Sequence, residues 1–175
     1  MRVLYDLVIV GGGAAGLTAA LYASRSGLDC IVLDPSSPEG SSIALTDAVE
    51  NYTGFSDIAG FDLIQHFYSH AKSFGANFVR QSLVGIRKNY DGFILECSDS
   101  EVKTKSVILC MGATHKKLGI DGENKFEGRG VSYCAVCDGY FFKDKTVAEE
   151  TPPLPRRPIF LIYANGFFLF TGVTH

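Results

Sequence analysis

Basic residues are not in excess in this chain: 16 Lys and Arg stand against 19 Asp and Glu, for a formal charge of −3. Such a balance leaves no reserve of cations for phosphate backbones, so nucleic acid is not an expected partner. Long apolar runs are also missing. The stretch from Ile159 to Phe170 is interrupted by Asn165-Gly166 and falls short of the roughly 20 residues needed to cross a bilayer, so no membrane contact is expected. The N-terminus carries one Arg and then Asp6 inside its apolar run, with no small-residue cleavage pattern. It does not read as a secretory leader, and a cytoplasmic location is expected. Cysteine is sparse and odd in number: Cys30, Cys97, Cys110, Cys134 and Cys137. That is unlike the disulfide framework of a small secreted domain, and only the last two pair by spacing. Proline is nearly absent until the end, where Pro152, Pro153, Pro155 and Pro158 crowd together. No internal repeat is present.

What remains is a globular composition, 46% hydrophobic in 175 residues, enough for about one ordinary domain. Leu7 to Val10 forms a short buried-strand pattern, followed by GGGAAG, an apolar-periodic LTAALYASRSG, and CIVLD ending at Asp34. Strand, glycine turn, helix and strand make a βαβ unit whose apolar strands suit a parallel sheet covered on both faces. A Pro-, Ser- and Gly-rich loop follows from Pro35 to Ser42. Phe61 to Phe74 places Leu63, Phe67 and Phe74 near helical spacing, with Asp62 close to the start of that helix. NFVRQSLVGIRK, DGFILECSD and EVKTKSVILC, with a turn signal at Asp91-Gly92, predict a small β-meander and a return strand into the main sheet.

Two motifs carry chemistry. Gly11, Gly13 and Gly16 form G-x-G-x-x-G directly after a strand, and Asp34 closes the next strand 18 positions after Gly16. Gly11 permits the tight turn, Gly13 lets the backbone approach a pyrophosphate, and Gly16 allows close helix–strand packing. The helix N-terminus faces the anion and the acid reaches a ribose hydroxyl. A tight turn alone would explain the glycines but not the acid; spacing does not decide which dinucleotide binds. Cys134 and Cys137 form C-x-x-C, with Asp138 directly after. Two such thiols can close a small disulfide ring, a neighbouring thiol stabilises the attacking thiolate, and the acid can move a proton to or from a leaving thiolate. Structural zinc needs about four ligands, and no second pair exists; two inert buried cysteines are the other alternative. Cys30, Cys97 and Cys110 lie in or beside apolar strands and read as small hydrophobes. His66 and His70 stand four apart on a helix without a nearby third ligand, so no metal site is expected. Lys116 and Lys117 read as a solvated patch.

Residues 1–147 resemble the N-terminal half of bacterial low-molecular-weight thioredoxin reductases. The resemblance is carried by VIVGGGAAGLTAALYASRSGLDCIVLD, VENYTGF, ILCMGATHKKLGIDGENKFEGRGVSYCAVCDG and FFKDKTV. It implies a Rossmann-like, three-layer α/β FAD-binding fold, a parallel sheet with a small β-meander, here incomplete. FAD would be held by Gly11, Gly13, Ala14, Ala15, Gly16 and Asp34, by Asn51, and by Met111, Gly112 and Ala113. It also implies transfer from NADPH to FAD, then to the C-x-x-C disulfide and on to thioredoxin, in a homodimer. Cys137 would face the flavin, Cys134 would attack thioredoxin, and Asp138 would be the acid. Two departures fall inside the match: Gly40-Ser41-Ser42 stands where the family commonly has G-G-Q, and Met111 replaces a threonine.

On this reading residues 1–115 are the N-terminal part of the FAD domain, 116–147 begin the NAD(P)H domain and carry the cysteine pair, and 148–175 are an aberrant tail. Beyond Val147 the NADPH-binding glycine turn and the later R-R-D segment of the family are absent. Codons for Glu149 to Phe160 can be written so that the neighbouring frame spells G-N-T-A-A-A-E-A-A-Y-L, and those for Leu169 to Thr174 so that it spells I-H-R-R-D. Wobble bases are free in this exercise, but the last two bases of each shifted codon are largely fixed by the residues present. A frameshift near Val147 is therefore expected, with little or no NADPH-driven turnover. The alternatives are another FAD-dependent pyridine nucleotide-disulfide oxidoreductase, and a non-catalytic binding module or pseudogene product, with PPLP as a polyproline ligand.

Overall fold

The first strand, β1 (Tyr5–Val10), alternates its side chains between two buried faces, which is why it is apolar at every position from Leu7 onward. The computed structural model describes residues 4–36, 38–113, 117, 119–127, 129–134, 139–148, 161–164 and 167–170. It divides into two compact units, 1–113 and 114–175.

In the first unit, β1 leads through α1 (Ala14–Arg25) to β2 (Cys30–Leu33), and α2 (Gly60–Ser73) connects β2 to β3 (Asn77–Val79). A hairpin of β4 (Leu83–Asn89) and β5 (Gly92–Cys97) precedes β6 (Glu101–Leu109). The sheet order is β3-β2-β1-β6-β5-β4. The first four neighbours are parallel and the last three strands form the antiparallel meander. β6 serves both halves: Glu101 to Thr104 pair with β5, and Thr104 to Leu109 pair with β1. Among the described residues, no strand pairs with the other side of Lys105 to Leu109.

Two apolar clusters sandwich the parallel strands. Leu7, Ile9, Cys30 and Val32 pack with Ala20, Ala23 and Ala71 on the helical side. Small residues there let α1 and α2 lie close on the sheet. Val8, Val10, Ile31 and Leu33 gather around Leu95 of the meander on the opposite side. Each fully buried Leu or Ile stabilises the fold by about 1.5–3 kcal/mol, before its loss of freedom is counted.

In the first unit the elements agree with the sequence reading in kind, and differ in two places. NFVRQSLVGIRK is not one meander segment: Asn77 to Val79 join β2 in parallel as the edge of the main sheet, and the antiparallel part starts only at Leu83. On α2 the buried positions are Leu63, Ile64 and Ala71, with Phe67 half-buried. Phe74 caps the helix and lies outside, beside Arg25 and His70.

The second unit contains a short turn of helix, α3 (Glu123–Phe126), and a 3-10 turn at Gly139–Phe142. It also holds an antiparallel hairpin of β7 (Leu161–Ala164) and β8 (Phe167–Phe170). The hairpin flanks Asn165-Gly166, which in the sequence registers only as a break in an apolar run. Asn-Gly between apolar segments is in fact a strong hairpin signal. Among the described residues, no helix is long and apolar enough to cross a membrane.

Candidate functional site

Strand order reverses at β1: the chain moves outward through β2 and β3, then returns to the other side as β6. In open α/β sheets a crevice forms at the carboxyl ends of the strands at such a point. Here its two walls are the glycine turn after β1 and the Cys110-Met111 segment after β6. They touch directly. The Cys110 amide donates to the Val10 carbonyl at 2.7 Å, and the Gly11 amide donates to Leu33 at 2.8 Å.

The glycines divide by what surrounds them. Gly11 has φ +103, and a Cβ there would stand 2.2 Å from the Cys110 carbonyl oxygen. A Cβ on Gly16 would lie 1.8 Å from the Gly11 carbonyl oxygen. Both positions therefore need glycine for the fold itself. Gly13 is different: its nearest neighbour would be the Ser41 Cβ at 4.0 Å. That open space is where a diphosphate could approach the backbone. Gly13 also caps α1 without a side-chain hydrogen bond, and no acid stands in the first turn, where Ala14 and Ala15 lie. The free amides of a helix N-terminus and its dipole suit an anion.

Asp34 follows β2 and reaches across to the turn. Its Oδ2 accepts from the Gly12 amide at 2.5 Å, and its Oδ1 accepts from the Ser36 amide at 2.8 Å, an Asx-type turn. The Ser36 hydroxyl also donates to Oδ1, at 3.4 Å, so of the roughly four lone-pair directions of the carboxylate about one remains for a ribose hydroxyl. Ser36 in turn packs against Gly40, where a Cβ would meet its Oγ at 2.1 Å. This brings Gly40-Ser41 to the crevice even though the sequence departs from G-G-Q. A recess of about 230 Å³ opens beside Asp34, lined also by Glu39, Gln65, Tyr68, Phe78 and Arg80. The residue patterning gave no sign of Arg80 or Tyr68; the D-x-S spacing could have marked Ser36.

Met111 is 63% exposed; Gly112, with φ +70, and Ala113 follow it on the rim. Asn51 lies in an exposed turn of the connection between β2 and α2. Tyr52, in the same turn, packs on Phe55 and Phe67. His66 stacks near Phe55 and His70 near Phe74, and among the described residues no three metal-ligating side chains gather.

Cys30, Cys97 and Cys110 are free thiols. Burial pushes the Cys110 thiol up, and burial together with Asp99 does the same at Cys97, so both stay protonated near neutrality. In the second unit Cys134 is disulfide-bonded, and its amide accepts the support of Ser132 by donating to that Oγ at 3.1 Å. Cys137 and Asp138 lie outside the described residues, as does Lys116. Lys117 pairs with Glu127 at 3.2 Å and donates to Asn124.

Comparison with known proteins gives the arrangement a context. The chain is 42% identical to the thioredoxin reductase of Bacillus subtilis over 142 residues, 81% of this chain and 45% of that protein. It is 43% identical to the thioredoxin reductase of Treponema pallidum over 148 residues, 84% of this chain and 48% of the relative. The solved thioredoxin reductase of Streptococcus pyogenes superposes with a TM-score of 0.75 at 38% identity, over 82% of this chain and 47% of that one. The chain thus spans about half the length of the relatives it matches. The model of the pyridine nucleotide-disulphide oxidoreductase family matches residues 5–151, a stretch that takes in both the glycine turn and the cysteine pair, and the chain belongs to that family.

Proposed function

We propose that this chain is the N-terminal part of a thioredoxin-disulfide reductase flavoprotein, with FAD seated in the crevice between β1 and β6 and the Cys134/Cys137 pair as its redox disulfide. The observation that carries the reading is the coexistence of two things in one family match. One is a glycine turn closed at Gly11 and Gly16, open at Gly13 and held by Asp34; the other is a C-x-x-C whose Cys134 is disulfide-bonded. The α1 amides and Gly13 would hold the diphosphate, Asp34 the ribose, and Met111, Gly112, Ala113 and Asn51 the flavin end. When bound, FAD would accept a hydride from NADPH and pass two electrons to the disulfide. Cys137 would receive them, Cys134 would attack the disulfide of thioredoxin, and Asp138 would handle the proton on the leaving thiolate. We assign 1–115 to the FAD domain, 116–147 to the start of the NAD(P)H domain, and 148–175 to an unrelated tail. A cytoplasmic homodimer is the setting that the family suggests.

The family match stops at residue 151, close to Val147 where the sequence changes character. Ile108 and Leu109, 39% and 54% exposed, belong to the part of β6 that pairs with β1 alone among the described strands. This supports a frameshifted or interrupted reductase with weak FAD binding and little NADPH turnover. The test is titration of purified protein with FAD, followed by addition of NADPH. Flavin binding without NADPH oxidation supports the reading. Absence of any flavin binding would refute it and favour a binding module built on the proline-rich tail.

A further inference from the structure

The chain ahead of Cys134 is tied to a buried carboxylate. Glu123, only 4% exposed at the start of α3, accepts from the Gly119 amide at 2.7 Å through Oε2, and the Tyr133 hydroxyl donates to its Oε1. Between them the backbone doubles back. Arg129 and Val131 amides both donate to the Phe126 carbonyl, at 2.8 and 2.9 Å, which returns Ser132 and Tyr133 alongside α3. Ser132 then receives the Cys134 amide on its Oγ. A buried carboxylate is costly to keep unless hydrogen-bonded, so donors such as these define the geometry of the loop rather than decorate it. The residue whose hydroxyl it holds is the immediate neighbour of a disulfide-bonded cysteine.

We propose that Glu123 is a positioning residue for the redox pair: through the Tyr133 hydroxyl it fixes the backbone from which Cys134 presents its sulfur. This rests on the reading of Cys134 and Cys137 as a redox disulfide. A loop already held in the disulfide-bonded arrangement raises the effective concentration of one thiol at the other, and so favours the disulfide over the dithiol. The Glu123 hydrogen bond, burial and the charges of Glu123 and Glu127 push Tyr133 up to about 12, which keeps its hydroxyl a donor throughout the range in which thiols exchange.

The experiment equilibrates the full chain with glutathione redox buffers at neutral pH and counts reduced Cys134 by alkylation and peptide mass. In the exchange the protein disulfide gains two electrons and two protons, and two glutathiones are oxidised to one disulfide. Tyr133→Phe and Glu123→Ala are expected to shift the equilibrium about five- to tenfold toward the dithiol; tenfold corresponds to about 30 mV for a two-electron couple. Glu123→Gln can still accept from Gly119 and donate to the Tyr133 oxygen, so it should stay within about twofold of the wild type. Wild-type equilibrium constants in natively folded Tyr133→Phe and Glu123→Ala would overturn the proposal and leave the network a role in folding alone. If Glu123→Ala does not fold, Tyr133→Phe, which removes one oxygen, decides by itself; if neither folds, the proposal is likewise overturned. A wild-type chain whose Cys134 shows no glutathione-dependent transition would instead overturn the redox reading beneath it.

Discussion

The Gly12 amide donates to the Asp34 carboxylate at 2.5 Å, joining the glycine turn to the end of the second strand. One acid thereby does two jobs: it holds the turn in shape, and it keeps acceptor capacity free for a sugar. Asp34→Ala is expected to lower stability by about 1.5–3 kcal/mol, the range for a hydrogen bond to a charged group, and to abolish FAD binding. Asp34→Asn should recover most of the stability but not the binding. Thermal melts and flavin titrations on the same preparations separate the two effects.

The glycines should fail in different ways. Gly16→Ala drives a methyl into the Gly11 carbonyl and is expected to cost about 3 kcal/mol or more, enough to leave the protein largely unfolded. Gly13→Ala meets nothing nearer than the Ser41 Cβ at 4.0 Å and should fold within about 1 kcal/mol of the wild type, while losing dinucleotide affinity. Circular dichroism of both variants, with flavin titration of the second, checks this. A Gly13→Ala variant that binds FAD normally would contradict the site.

Tyr133 gives a pH signature. Its pKa in the folded chain is pushed up to about 12 from 10.0, first by the hydrogen bond to Glu123. The unfolded chain therefore loses this proton before the folded one does. The stabilisation is fully present below about pH 10 and disappears as pH rises from about 10 to about 12. Tyrosinate absorbance should show a late-titrating step, and Tyr133→Phe should remove it.

The free thiols should be slow. Burial raises the pKa of both Cys97 and Cys110, so at pH 8 each is expected to react with an aromatic disulfide reagent at least about tenfold more slowly than in the unfolded chain. Timed labelling with peptide mapping measures this directly.

Much of the crevice was legible because its signals are local. The glycine spacing, the apolar strand before it and the acid after CIVLD lie within one βαβ unit, and the structure joins Gly11, Gly13, Gly16 and Asp34 there. What escaped depends on tertiary placement. Phe74 fits a helical period by counting, yet the end of α2 turns it away from the sheet, while Ile64 and Ala71 take the buried positions. Arg80 reaches the Asp34 recess only because Asn77 to Val79 leave the meander to pair with β2. The grip of Glu123 on Tyr133 obeys no period or motif, since it arises from a chain reversal between them. The roles of Cys137 and Asp138 still rest on the C-x-x-C-D spacing and the family resemblance.

The tail has a test outside the protein. Sequencing the gene from the codon for Phe141 onward is expected to reveal the NADPH domain and the rest of the FAD domain in the neighbouring frame. A downstream sequence with no such frame would give residues 148–175 a history of their own.

The central claim is that the β1/β6 crevice binds FAD, and the most direct measurement is a fluorescence titration of purified wild-type chain with FAD beside the folded Gly13→Ala variant. The account predicts saturable quenching with a flavin absorption band in the wild type, and none in the variant. Equal behaviour of the two, or no binding by either, would contradict it.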